Sequence, residues 1–206
     1  MNVMRKTLAV LLVLLGLGIA LYPWGQSLYR DYRIAKYLVE FEENQDLALP
    51  LSMDEPEEPL ESREEAEGPS PEPVPVAVLE IPRIDLKLPV LPGATESNLR
   101  YGAALLEEAA RIGEPGNAVI TAHRAHTYGR LFNRLDELEP GDELSLVTPG
   151  NRYDYRVVEA AVVEAKDTAY LAGHPEEPLL TLITCQPLYV SNPPYRLVVQ
   201  SRLVEQ

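Results

Sequence analysis

Leu179-Leu180-Thr181-Leu182-Ile183-Thr184-Cys185 is the stretch on which the reading of this chain turns. It is apolar almost throughout, rich in leucine and β-branched residues, and too short for a core helix. It therefore predicts a buried β-strand. It ends in the only cysteine of the 206 residues. A lone cysteine has no internal disulfide partner. In an exported chain it marks a reactive thiol or an intermolecular bridge; in a cytosolic chain it is more often a small buried apolar residue.

Similar strand signals recur on both sides. Val76 to Ile81 is dense in strand formers and stops at Pro82, and Leu86 to Val90 follows a short polar turn. Asn117 to Ala122 reads as a buried strand centred on Val119 and Ile120. Glu143 to Val147 comes after the turn Glu139-Pro140-Gly141-Asp142. Tyr153 to Val163 comes after Pro149-Gly150-Asn151 and places Tyr153, Tyr155 and Val157 on one face. Tyr195 to Leu203 closes the series. Seven or eight short strands separated by turn signals predict an all-β barrel or sandwich. Helical signals are short: Thr95 to Leu99, Tyr128 to Leu138 with Leu131, Leu135 and Leu138 on one face, and Asp167 to Leu171.

The N-terminus differs. Arg5-Lys6 precede a run without charge from Leu8 to Tyr22, near the length that crosses a bilayer as a helix. Tyr22 and Trp24 stand where an interfacial aromatic belt would lie. The run ends in bulky residues rather than a small-x-small cleavage site, so an uncleaved anchor is expected. The basic tip predicts a cytoplasmic N-terminus and an extracellular remainder, although Arg30, Arg33 and Lys36 follow the span. Gln26 to Glu43 reads as a helix continuing from the membrane. Glu43 to Pro75 is rich in Glu and Pro and holds no aromatic residue, the composition of a solvated spacer. A sharper alternative is a lid, with Leu51 to Pro56 as its candidate.

The organisation expected is thus tip and anchor over 1–25, juxtamembrane helix and acidic linker over 26–75, and a folded domain over 76–206. Of the net charge of −14, −12 belongs to Glu40 to Glu72, so the acidity describes a segment rather than a substrate. No basic cluster points to nucleic acid.

Cys185 ends one apolar strand and His123 ends another, while Arg196 begins the last strand, across a hairpin from Cys185. Taken singly, each has an ordinary explanation: a packed thiol, a surface imidazole, a solvated charge. Together they offer a nucleophile, a proton shuttle and an oxyanion-stabilising fork. His126 and His174 carry no comparable context. Glu107, Glu108 and Glu114 are scattered acids, so no metal, calcium included, and no cofactor is predicted.

The combination resembles the sortase family of cysteine transpeptidases. Thr181-Leu182-Ile183-Thr184-Cys185 matches that family's TLxTC signature. Ile120-Thr121-Ala122-His123-Arg124 resembles its catalytic-histidine strand, and Leu131-Phe132-Asn133-Arg134-Leu135-Asp136-Glu137-Leu138 resembles the segment after that strand in many members. Val78 to Ile84 resembles the first barrel strand, and Tyr195-Arg196-Leu197-Val198-Val199 the catalytic-arginine strand.

The resemblance implies an eight-stranded sortase-type β-barrel behind an N-terminal transmembrane helix, held outside a Gram-positive membrane. It implies cleavage of an LPxTG-like sorting motif between Thr and Gly in secreted proteins. The acyl group would then pass through a thioester on Cys185 to an amine of the cell wall or of a pilin. His123 would be the general acid and base, and Arg196 would bind the substrate backbone and stabilise the oxyanion. Ala122, Leu182 and Thr184, beside these residues in sequence, are the groove candidates. Thr127 to Leu135 and Tyr189 to Arg196 look most like class D. Class C is the runner-up, although its Asp-Pro-aromatic lid motif is not found. Gln186-Pro187-Leu188 departs from the common run after the cysteine, which bears on substrate preference. The competing readings are a cysteine hydrolase and a non-catalytic anchored barrel that binds peptides.

Overall fold

The computed structural model describes residues 2–47 and 73–204. Eight strands are present: β1 Ala77–Ile81, β2 Leu86–Pro92, β3 Ala103–Leu105, β4 Gly116–Thr121, β5 Glu143–Thr148, β6 Asn151–Glu164, β7 Pro178–Gln186 and β8 Tyr195–Leu203. They close into a barrel in the order β1-β2-β3-β4-β7-β8-β6-β5. Seven of these are the expected strands. The eighth, β3, has three residues, two of them alanine, and lacks the composition by which a strand is recognised. It exists because pairing on both sides holds it, parallel to β2 (Val90 opposite Ala103) and antiparallel to β4 (Ala104 opposite Thr121).

Alternation along each strand sends every second side chain inward. The core therefore collects Ala118, Ile120 and Ala122 around β4, Leu180 and Leu182 from β7, and Leu197 and Val199 from β8, against Leu79, Leu88 and Leu146. Tyr155 of β6 is fully buried among them. Its hydroxyl accepts the Gly113 N–H at 3.1 Å. Burial pushes this phenol up to about 12. Gly113 has a φ of +82°, and a Cβ there would overlap the Tyr153 ring, so only glycine fits.

Helix α2, Glu96–Tyr101, opens with Thr95, whose side-chain oxygen accepts the Asn98 N–H. The helix expected over Tyr128 to Leu138 is not formed; this segment is a loop ending in a short 3-10 turn, Leu135–Glu137. Leu135 and Leu138 do reach the core, and Leu131 packs against it. Their helix-like spacing arises from consecutive turns instead. Leu131 sits at a φ of +47°, and the Phe132 N–H is spent on the His123 carbonyl at 3.1 Å. Asp167 to Leu171 likewise yields only a 3-10 turn, Ala169–Leu171.

Helix α1, Asn2–Leu47, runs unbroken through Pro23. Its first half exposes apolar side chains from Val10 to Leu21, and it is long and apolar enough to cross a membrane. Its second half lies on the barrel. Tyr37 and Phe41, one turn apart, are buried there. The Arg33 guanidinium stands 4.9 Å from the Tyr101 ring centre and donates to the Tyr37 hydroxyl at 2.8 Å. Asp31 pairs with Arg130, and Glu42 with Lys87. The acidic linker and its lid candidate, Leu51 to Pro56, lie outside the described residues.

Candidate active site

Strand register brings the three candidate residues together. Cys185 and Arg196 are directly opposed in the antiparallel β7–β8 ladder. β4 runs parallel to β7 with Thr121 beside Ile183, so His123, two residues on, emerges abreast of Cys185. The pairing extends past the end of β4, because the Ala122 N–H donates to the Ile183 carbonyl at 3.2 Å and the Thr184 hydroxyl to the Ala122 carbonyl at 2.8 Å. The His123 backbone is held from its other side by Phe132. Arg124 pairs with Asp136 at 2.8 Å, and the Asn133 amide donates to the Ala125 carbonyl at 2.6 Å.

Parity decides which face they share. Even residues of β4 and β7 and odd residues of β8 fill the core. His123, Cys185 and Arg196 therefore project from the outer wall of the barrel, close to one end, rather than into its mouth. Cys185 and Arg196 are half-buried and His123 is exposed.

The same parity corrects the groove candidates. Ala122, Leu182 and Thr184 have relative exposures of 3%, 0% and 2%. Ala122 and Leu182 belong to the core, and Thr184 is spent tying β7 to β4. The outer-face neighbours are Thr121, Ile183 and Val198, which alternate with them. Counting by two from Cys185, His123 and Arg196 reaches these residues, whereas adjacency in sequence reaches the inward face.

One side of this surface is walled by the β6–β7 connection. The Asn117 amide donates to the carbonyls of Tyr170 and Ala172 at 3.0 and 3.4 Å, and its oxygen accepts from the Thr181 hydroxyl at 2.8 Å. The Gln200 amide also donates to the Tyr170 carbonyl, at 3.2 Å. Burial raises the Tyr170 phenol above its usual range, and the Arg196 charge opposes that rise. Arg196 donates through Nη1 to the carbonyls of Pro193 and Tyr195, both at 2.9 Å. Among the described residues its Nε and Nη2 make no hydrogen bond, so they can serve a bound carbonyl.

Across the site His126 stacks on Tyr189 with centroids 4.8 Å apart, while His174 only caps a turn by accepting from the backbone of Glu176 and Glu177. Among the described residues no three metal-ligating side chains come together, and Glu107, Glu108 and Glu114 are exposed.

A thiol, an imidazole and a guanidinium in adjacent register on one wall make an acyl-transfer constellation. The sortase domain model matches residues 79–204. The chain belongs to the sortase family. It is 32% identical over 128 residues to sortase D of Bacillus subtilis, covering 62% of this chain and 63% of that one. It is 34% identical over 126 residues to sortase A of Bacillus anthracis, covering 61% and 58%. The matched region thus spans about three-fifths of these relatives. Among solved structures, Streptococcus pneumoniae sortase C superposes with a TM-score of 0.60 at 33% identity over 64% of this chain and 70% of that one. Corynebacterium diphtheriae sortase A superposes with a TM-score of 0.62 at 31% identity, over 66% and 64%.

Proposed function

We propose that this chain is a membrane-anchored cysteine transpeptidase that acts on C-terminal sorting motifs of secreted proteins. The observation that carries the reading is the register that sets Cys185 opposite Arg196 and abreast of His123 on the outer wall. The Cys185 sulfur attacks the Thr carbonyl of an LPxTG-like motif. The Thr–Gly C–N bond breaks, His123 gives a proton to the leaving amine, and the acyl group remains as a thioester. An amine of the cell wall or of a pilin then attacks, His123 takes its proton, and the sulfur leaves. Arg196 meets the carbonyl oxygen with the donors its backbone contacts leave free.

A thioester keeps the acyl group activated, so an amine can outcompete water. That separates this reading from the hydrolase. The class D reading is supported by the similarity to sortase D of B. subtilis. The anchor is supported by the exposed apolar half of α1, and the basic tip favours a barrel on the extracellular side.

The test is to incubate the full chain, and Cys185→Ala beside it, with an LPxTG peptide, with and without an amine acceptor. A ligated product from the wild type alone is expected. Peptide loss unaffected by the amine, with only hydrolysed product, would establish the hydrolase instead.

A further inference from the structure

A cleft of about 680 Å³ lies between helix α1 and the barrel, lined by His123 but not by Cys185. Building on the transpeptidase reading, we propose that this cleft is the acceptor side of the active site, that α1 supplies one of its walls, and that it takes a primary amine also bearing an anionic group.

Acyl transfer requires two approaches to one centre. The donor occupies the outer wall at Cys185, so the acceptor must reach the thioester without displacing it while handing its proton to the same imidazole. A recess that opens on His123 and excludes the sulfur meets that need. The acceptor nitrogen bonds to the acyl carbon as the carbon–sulfur bond breaks. Sulfur keeps the electron pair, and the nitrogen's proton passes through His123 to restore the thiol.

The charges of the cleft indicate what else the acceptor carries. Its lining holds Arg30, Lys87, Arg100, Arg124 and Arg130 against Asp31, Asp85 and Glu96. Most are matched. Arg130 pairs with Asp31, Arg100 with Glu96, Lys87 with Glu42 and Glu80, and Arg124 with Asp136. Among the described residues Arg30 forms no ion pair and its Nε is buried without a hydrogen-bond partner, as are the Nε and Nη1 of Arg124, while Asp85 is exposed and forms no ion pair. Leaving partly buried guanidinium nitrogens unmatched costs solvation that an anionic ligand offsets. An anion beside Arg30 supplies that complement, and Asp85, at the same cleft, offers a carboxylate to the amine, which attacks in its neutral form.

The anion points toward the membrane. Arg30 lies six residues beyond Trp24 on one continuous helix, roughly 9 Å at the α-helical rise. A second recess shares Arg30 and Arg100 and continues along α1 to Tyr22. The path therefore leads from the bilayer end of the helix to His123. The anion can be a carboxylate of a peptide or a phosphate, and the test separates them.

The full chain in detergent micelles is given an LPxTG peptide and one of three acceptors: glycylglycine, O-phosphoethanolamine or the neutral glycylglycinamide. Hydroxylamine, which needs no anion site, reports the thioester. The wild type should show a KM about tenfold lower for at least one anionic acceptor than for the amide, the scale of one charge-assisted hydrogen bond. Whichever anion is favoured names the source. Arg30→Ala should erase the difference and Arg30→Lys should restore part of it, with donor KM shifting by less than about twofold. Asp85→Asn, which tolerates the left-handed backbone there, should raise KM for all three amines. Equal KM values for the three acceptors in the wild type, or an undiminished preference in Arg30→Ala, would overturn the proposal. Absence of any hydroxylamine-dependent product would instead overturn the transpeptidase reading beneath it.

Discussion

Asn117→Ala tests whether the wall of the site is held from below. Asn117 is 3% exposed and makes three side-chain hydrogen bonds, two to the β6–β7 connection and one from Thr181. Removing it leaves the buried Thr181 hydroxyl without an acceptor for its proton, its oxygen keeping only a 3.5 Å bond from Gln200, and frees the carbonyl of exposed Ala172, while Gln200 still serves the Tyr170 carbonyl. At about 1 kcal/mol per neutral bond, with a further penalty for buried groups left unpaired, the loss is about 2–4 kcal/mol. For a domain of this size that lowers Tm by about 10 °C. The loosened connection no longer holds the wall beside the proposed donor site, so donor KM should rise by about tenfold while kcat falls less. Asn117→Asp sharpens the test. It keeps the acceptor for Thr181 but turns a carboxylate toward two carbonyls. It should be at least as damaging as alanine at neutral pH and should recover on acidification, when a protonated carboxyl can donate again. Thermal melts and peptide-cleavage kinetics across pH 5–8 read both effects. A lowered Tm with unchanged donor KM would show that the connection does not wall the donor site. An unchanged Tm would refute the account of the network.

Arg196→Lys should lower kcat/KM by about 100-fold, because an ammonium that holds the Pro193 and Tyr195 carbonyls keeps a single donor and lacks the planar fork that Nε and Nη2 present to substrate; activity close to wild type in a peptide-cleavage assay would remove its oxyanion role. Tyr155→Phe should flatten the alkaline limb of stability. With the folded phenol raised to about 12, the unfolded chain ionises first above its ordinary value near 10, so stability falls as pH rises through that window, by about 1.4 kcal/mol per unit, and phenylalanine has no proton to lose; urea melts at pH 9 and 11 measure it. Asp154 is held below the usual carboxylate range by the Ser145 hydroxyl and then by Arg152, so its contribution is present above about pH 4 and lost as pH falls further. Asp154→Asn should therefore lower stability at neutral pH and narrow its gap to the wild type in acid, read by melts at pH 3 and 7.

The strands were legible because most of them combine β-branched density with flanking turn residues, and both cues survive in single sequence. β3 was not, because Ala103-Ala104-Leu105 is a strand only through the neighbours that pair with it. The expected helix over Tyr128 to Leu138 failed for a related reason. Leu131, Leu135 and Leu138 do turn toward the core, but the loop is tied to His123 and Ala125 by Phe132 and Asn133, contacts that spacing cannot reveal. Cys185, His123 and Arg196 could be singled out from sequence because each stands at a strand end and within a recognisable motif. The groove candidates rested on nearness in sequence where alternation applies: Ala122 and Thr184 adjoin His123 and Cys185 along the chain but point to the opposite face.

That alternation also explains how one short strand serves two demands. Leu180 and Leu182 of β7 satisfy the interior, which fixes register, since a slip by one residue would turn apolar side chains to the surface. The same register carries Thr181, Ile183 and Cys185 to the outer wall. The position of the Cys185 sulfur is thus enforced by packing on the opposite face. Thr184 joins the two functions, because its inward hydroxyl clamps the carbonyl of Ala122, the residue just before His123. A core substitution that shifted β7 by one position would exchange Cys185 for Thr184 at the site. On the proposed transpeptidase reading, the strand's inward leucines therefore serve the chemistry by fixing where the Cys185 thiol stands.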